Sequence, residues 1–364
     1  GDRIAGEVIA ALGAPRALAA VLERWSCEKT LAELGSNGAI TEDEMEQALA
    51  RWQPRLNSGA ALVALRQAAR YGVRLRLPDD PDWPSGMLDL DTQAPIVLWT
   101  RGTDAAYRSL GASIALVGAR AATGYGEHVA MEASAGLADR GYTIVSGAAY
   151  GIDGMAHRAA LASNGLTVAF LAGGVDRFYP SGHDALLERI VASGCVISEL
   201  PCGASPTKWR FLQRNRLIAA SSLATVVLEA GWRSGSLNTA KHANDLSRPL
   251  GAVPGPVTSA ASAGCHKLLR EGTALCVTTP QEMAELAPLD QLEIVVESSP
   301  RRPDDETVRV LDAMSVRSPR VAADIAARSG LSIAGVRAVL GRLELEGVVR
   351  ESGAGYTKAT SLTT

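Results

Sequence analysis

From residue 113 onward the chain alternates short, unbroken apolar runs with longer mixed segments. The runs SIALVG, YTIVSG, LTVAFLAGG, CVISE, ATVVLEAG and LGAVPG each span about five residues, and the segments between them are long enough for a helix. Continuous runs, rather than alternating ones, are how strands buried on both faces read. Strands that take turns with helices predict an α/β fold with a doubly wound parallel sheet. A further strand-like run, PIVLW, closes a connector rich in Pro and Asp, LPDDPDWPSGMLDLDTQA.

The pattern changes at both ends. In residues 1–78 the stretches EDEMEQALARW and GAALVALRQAARYG carry apolar residues at helical spacing, broken by LGSNGAI, so a small helical domain is expected there. ESSPRRPDDE, residues 297–306, is polar, charged and Pro-containing, and reads as a linker. Beyond it TVRVLDAM, RVAADIAARSG and SIAGVRAVLGRLELEGVVRESGAGYTK predict three helices and two short strands across a Gly turn, with Ser332 as N-cap of the third helix. That order is a winged helix-turn-helix. The expected domains are therefore residues 1–78 helical, 79–290 sheet domain, 291–305 linker and 306–364 winged helix.

Bulk properties narrow the function. With 364 residues and 47% apolar content the chain can build one large core and one or two satellites. A net charge of −3 gives no general attraction to nucleic acid or membrane, so any polyanion site must be local. Five cysteines without C-x-x-C spacing leave one unpaired under any pairing, which reads as a reduced, cytoplasmic protein. No apolar run approaches a membrane span and no signal peptide opens the chain.

Ligands of an open parallel sheet bind beyond the carboxyl ends of its strands, and here those ends carry Gly118, Gly147, Gly173, Gly174, Gly231 and Gly255. The loop after Gly118 continues with Ala119 and Arg120, which breaks G-x-G-x-x-G, and the next strand ends in Ser146 and Gly147 where a ribose-binding carboxylate would stand. NAD is thereby disfavoured, and the absence of G-x-x-x-x-G-K-S/T disfavours a P-loop nucleotidase. No cofactor is expected. What remains is an Arg at the mouth of a glycine-rich loop entering a helix, whose N-terminal amides favour phosphate oxygens. SGAAYGIDGMAHRAAL, residues 146–161, repeats that logic with Ser146, Gly147 and Gly151 shaping a loop whose amides could point at an anion. Asp153 and His157, four residues apart, could be a catalytic pair or a metal half-site. The plainer readings are a helix-start cap for Asp153 and a packed helix residue for His157, and no further ligands converge on a metal.

PTKWRFLQRNRLIAASS, residues 206–222, places Lys208, Arg210, Arg214 and Arg216 among Trp209 and Phe211 with no acid before Glu229. Cations that track a phosphate backbone beside aromatic faces that stack on bases are the means of single-strand binding, and the competing reading is a solvated helix face over a core aromatic. GWRSGSLNTAKHA then offers Ser234, Gly235 and Ser236 as donors at a third strand-to-helix turn.

GAR at 118, SGAAYGIDGMAH at 146, GGVDRFYP at 173, SELPCGASP at 198, RNRLIAASS at 214, EAGWRSGSLNTA at 229 and VPGPVTSAASAGCHKLLREGT at 253 occur in order. Together they resemble the DNA processing protein A family (DprA, also called Smf) over residues from about 65 to 285. The resemblance implies an extended Rossmann fold flanked by a SAM-like helical domain and a winged helix. It implies a non-enzymatic protein of natural transformation that binds incoming single-stranded DNA, forms a homodimer, shields the DNA and loads the RecA recombinase. By motif, Arg120 should hold a phosphate, Lys208 and Phe211 should supply a backbone and a base contact, and Gly118, Ser146, Gly147, Gly151, Arg214, Asn215, Arg216, Ser234, Gly235 and Ser236 should complete the DNA site. His266 and Leu269 transfer as dimer-interface positions. Ala119 departs from the family's usual Ser, Tyr150 from a basic residue, and RFLQRNR from a Phe-Pro approach, which puts the phosphate contacts in question.

Two other classes compete. A Rossmann-like nucleotide-cleaving enzyme of the phosphoribohydrolase type would need a carboxylate at the glycines, and only Glu199 and Glu229 could substitute. A duplex-binding regulator would act through the winged helix, where acids and bases nearly balance.

Overall fold

All six apolar runs become neighbours in one sheet. The computed structural model describes residues 2–35, 40–289, 305–315, 318–345, 348–352 and 355–358, and the chain forms two units, Gly1–Leu292 and Glu293–Thr364. In the first unit the strands are β1 (Arg74–Arg76), β2 (Leu98–Gly102), β3 (Ser113–Gly118), β4 (Thr143–Ser146), β5 (Thr167–Phe170), β6 (Cys195–Ser198), β7 (Ala224–Glu229), β8 (Leu250–Ala252) and β9 (Leu275–Cys276). They lie in the order β1-β2-β6-β5-β4-β3-β7-β8-β9. From β6 to β9 every pair is parallel, whereas β2 pairs antiparallel with both β1 and β6.

The helices fall on both faces, as a sheet buried on two sides requires. Before β1 come α1 (Arg3–Leu12), α2 (Ala14–Leu22), α3 (Cys27–Leu34), α4 (Glu42–Trp52) and α5 (Ser58–Tyr71). Then follow α6 (Asp104–Arg108), α7 (Gly124–Asp139), α8 (Ile152–Ala162), α9 (Asp184–Ser193), α10 (Lys208–Ser221), α11 (Ser236–Asp245), α12 (Ala263–Arg270) and α13 (Pro280–Glu285). Successive residues of β3 show the division. Ile114 and Leu116 pack with Ala130, Leu137 and Ala156 of α7 and α8, while Ala115 and Val117 pack with Leu217, Ile218 and Ala240 of α10 and α11. Each Leu, Ile or Val fully buried there is worth roughly 1.5–3 kcal/mol of transfer free energy.

The front helices α1 to α4 close on Ile4, Val8, Val21, Met45 and Leu49, and α4 is capped by a reciprocal Thr41–Glu44 box. The structure draws the first boundary differently from residue 78. Ala64 and Ala68 of α5 share a core with Trp99, Leu171 and Leu187, and β1 is already the outer strand of the sheet. Both elements precede residue 78, yet α5 buries its apolar side against sheet elements and β1 pairs with β2, and α1 lies so close to the connector that a Cβ at Gly6 would meet the Thr92 carbonyl.

The second unit holds α14 (Asp305–Ala313), α15 (Ala322–Ser329), α16 (Ile333–Leu345) and the antiparallel pair β10 (Val349–Ser352) and β11 (Gly355–Lys358). Val310, Ile325, Val336, Leu340, Leu343 and Val349 form its core. The Ser332 hydroxyl accepts from the Gly335 amide at 3.1 Å, the cap expected for the third helix. The linker expected at 291–305 lies outside the described residues up to 304. Among the described residues no single helix is long and apolar enough to cross a membrane.

Candidate nucleic-acid interface

β3 pairs with β4 on one side and β7 on the other, and the connections that leave β3 and β7 diverge. Such a switch point opens a crevice beyond the strand ends. A cavity of about 900 Å³ lies there, lined by Gly118–Ala121 after β3, by Lys208, Phe211, Leu212, Arg214 and Asn215 of α10, and by Gly231 and Arg233–Ser236 before α11.

Three of its cations are unsatisfied. Arg120, Lys208 and Arg233 are exposed side chains, and no hydrogen bond or ion pair to another described residue engages them. The Arg120 guanidinium stands over the Phe211 ring, 4.8 Å from its centroid, and Phe211 meets Tyr179 at 5.7 Å. Lys208, Phe211 and Asn215 occupy positions i, i+3 and i+7 of α10 and so share the face turned to the cavity. Thr207 starts that helix, its hydroxyl accepting from the Arg210 amide at 3.3 Å.

The three strand-to-helix turns are not equivalent. At the start of α7 the Glu229 carboxylate, itself buried, accepts from the Thr123 amide at 2.9 Å and the Thr123 hydroxyl at 2.6 Å. At the start of α8 the buried Asp153 carboxylate accepts from the Ala149 amide at 3.4 Å and also faces the Gly147 and Gly118 amides. Burial raises the Asp153 pKa, and the nearby Arg214 cation and these amides pull against it. Both turns thus already carry an acidic side chain of the chain's own. Only α11 begins without an acid or a side-chain cap, its turn ordered by a 2.7 Å hydrogen bond between the Ser234 and Ser236 hydroxyls and by the Asn215 side-chain amide, which reaches Asn238 Oδ1 at 3.2 Å. Its positive end faces the cavity.

Several residues expected to touch DNA are therefore placed otherwise. Ser146 is fully buried and donates to the Leu116 carbonyl at 2.6 Å. Gly147 is small because the Arg214 guanidinium lies against it, and Arg214, largely buried, lines the cavity, donates to the Phe170 carbonyl and keeps a buried Nε without a hydrogen-bond partner. Gly151, at φ 75°, lets the chain pass beneath the Ala119 and Arg120 carbonyls, which sets the loop that carries Arg120. Gly118 lines the cavity, but a Cβ there would meet Ile152. Arg216 turns away altogether, clasping Glu199 at 2.6 and 3.0 Å and the Gln93 carbonyl at 2.9 Å. Glu199 and Glu229, the carboxylates an enzymatic reading would use, are held by Arg216 and Thr123 and do not line the cavity.

His157 is packed in the core with Nδ1 2.7 Å from the Thr167 hydroxyl, and burial holds its pKa down to about 3. Among the described residues no three His, Cys, Asp or Glu side chains are grouped to hold a metal ion. Tyr150 sets its ring edge-on to His183 at 4.9 Å. His266 lies 3.3 Å from the Gly255 carbonyl through Nε2, and Leu269 packs partly on the core. Arg233 and Tyr179 were not singled out in the sequence, although the position of Arg233 two residues after Gly231, at a strand's carboxyl end, was a usable signal.

Fold and crevice together define a Rossmann-like α/β protein with a basic, aromatic-walled crevice at its switch point. The model of the DNA recombination-mediator protein A family matches residues 74–288, and the model of the DprA winged helix domain matches 297–355. The chain belongs to that family. It is 45% identical over 295 residues to a DNA processing protein DprA of Mycobacterium tuberculosis, across 77% of this chain and 75% of that one. Among solved structures it is similar to DNA processing protein A of Streptococcus pneumoniae, with TM-score 0.59, 29% identity, and coverage of 76% of this chain and 93% of that one. It is also similar to DNA processing protein A of Helicobacter pylori, a structure that describes that protein's single-stranded DNA binding mode, with TM-score 0.52, 27% identity, and coverage of 58% and 94%.

Proposed function

We propose that the crevice grips single-stranded DNA, and that the chain serves DNA processing by holding the strand for a recombinase without breaking any bond in it. The observation that carries this reading is the set of unpaired cations, Arg120, Lys208 and Arg233, gathered with Phe211 and Tyr179 around the acid-free start of α11. A phosphodiester supplies the missing negative charge, and an unstacked base supplies the flat partner for the rings. Duplex DNA hides its base faces and does not offer them to Phe211. The single-stranded DNA binding described for the Helicobacter pylori relative supports the same assignment. The fuller role, as a cytoplasmic homodimer assembled near His266 and Leu269 that shields incoming DNA and loads RecA during natural transformation, rests on family membership.

Fluorescence anisotropy with labelled oligo-dT and with a duplex of equal length tests the reading. Tight binding to the single strand and weak binding to the duplex are expected, with Arg120→Ala and Lys208→Ala each weakening the former while circular dichroism stays unchanged. Equal affinity for the two forms, or wild-type affinity in both variants, overturns it.

A further inference from the structure

Two tryptophans stand in water where the fold had means to bury them. Trp83 and Trp99 are 8% and 6% exposed, but Trp209 and Trp232 are 67% and 64% exposed. Each sits one residue outside the crevice on a different wall. Trp209 follows the cavity-lining Lys208 in the first turn of α10, and Trp232 lies between the cavity-lining Gly231 and Arg233 before α11. Neither ring lines the cavity.

Their neighbours say what kind of partner fits. Trp209 is flanked by Lys208 and Arg210, and Trp232 by Arg233, with the Lys267 ammonium 5.6 Å from its ring centroid. Rings that dock a protein partner sit among apolar residues with charges depleted. The Trp232–Lys267 pair repeats the arrangement of Phe211 and Arg120 inside the crevice, and Trp209 lies beside Lys208 in the chain, which suits a partner that is flat and anionic by turns. We infer that Trp209 and Trp232 are base-stacking platforms that extend the crevice's hold to nucleotides lying outside it, one on each of two walls. The inference rests on the single-strand reading of the crevice and adds a prediction of its own, a dependence on strand length.

The full chain is titrated with a thymidylate trinucleotide and a thymidylate twenty-mer at low salt. Trp209→Ala and Trp232→Ala should each weaken the twenty-mer by about 5- to 100-fold, the effect of losing one stacked base. The trinucleotide should stay within about two-fold of wild type, because a strand that short fills only the crevice. Trp209→Phe and Trp232→Phe should restore most of the loss, and the quenching of intrinsic fluorescence by the twenty-mer should fall in the alanine variants. Unchanged affinity for the twenty-mer in the double alanine variant overturns the inference, as do equal losses at both lengths. Because Lys267 belongs to α12, beside the expected dimer positions, light scattering accompanies each titration, and a fall in mass for Trp232→Ala removes that ring from the proposal. Arg120→Ala separates the two readings. If it weakens both lengths while the tryptophan variants do not, only this inference fails, and if it too changes nothing, the crevice itself is wrongly assigned.

Discussion

The guanidinium of Arg120 lies 4.8 Å from the centre of the Phe211 ring, so the residue that carries positive charge into the crevice is steered by the ring that offers it an aromatic face. Charge and stacking are thus coupled before any ligand arrives. A double-mutant cycle should reveal it: Phe211→Ala and Arg120→Ala each weaken oligo-dT binding, and the double variant loses less than the sum by about 0.5–1 kcal/mol. Strictly additive losses would show that the two side chains act independently.

Salt dependence distinguishes the free cations from the engaged one. Removing Arg233, which is exposed and unpaired at the crevice, should flatten the slope of log affinity against log salt by about 0.7, the loss of one counterion released on a single strand. Arg216→Ala should leave that slope intact and lower the melting temperature instead, since it strands Glu199 in a largely buried ion pair. A shallower slope in the Arg216 variant at full stability would return that residue to the DNA site.

Gly147→Ala should unsettle the fold. A Cβ at that position collides with the buried Arg214 guanidinium, and overpacking of this kind costs about 1–3 kcal/mol. Gly124→Ala, where nothing lies within 4 Å, serves as the control and should be near neutral. Chemical denaturation of the two variants checks the difference, and equal midpoints would mean that Arg214 yields freely.

His157 predicts an acid limb of the stability curve. Its pKa is held down to about 3 by burial, with help from His183, Arg214 and Arg158, against an unfolded value of 6.5. Between those values the unfolded chain binds the proton and the native chain does not. The stabilisation is complete above pH 6.5 and drains away as pH falls toward 3, by up to about 1.4 kcal/mol per unit. His157→Gln should flatten the decline of melting temperature between pH 6 and pH 4, and an unchanged slope would assign the acid limb to other groups.

The sheet was legible because burial on both faces writes continuous apolar runs, and β3 to β8 all carry them. The direction of β2 was not, since an apolar run records burial and not polarity. β1 and β9 escaped notice for the opposite reason: they are short and largely exposed, so no run marks them. In the crevice, the structure brings Arg120, Lys208, Phe211 and the Ser234–Ser236 turn together, because strand ends and helical spacing place them there. Gly118, Gly147 and Gly151 look in sequence like a cradle for a ligand, yet the close approach they permit is made by Ile152, Arg214 and the Ala119–Arg120 backbone. Composition cannot tell a guest from a neighbour. Arg216 could have been set aside: two residues along a helix turn about 200°, so it cannot share a face with Arg214.

Glu229 and Asp153 are acidic groups that travel with the molecule. Tethered beside the turns that lead into α7 and α8, they compete with a free anion at the high effective concentration of an intramolecular contact. Two of the three strand-to-helix turns are furnished with acid from the chain itself, and the third, before α11, is left without one.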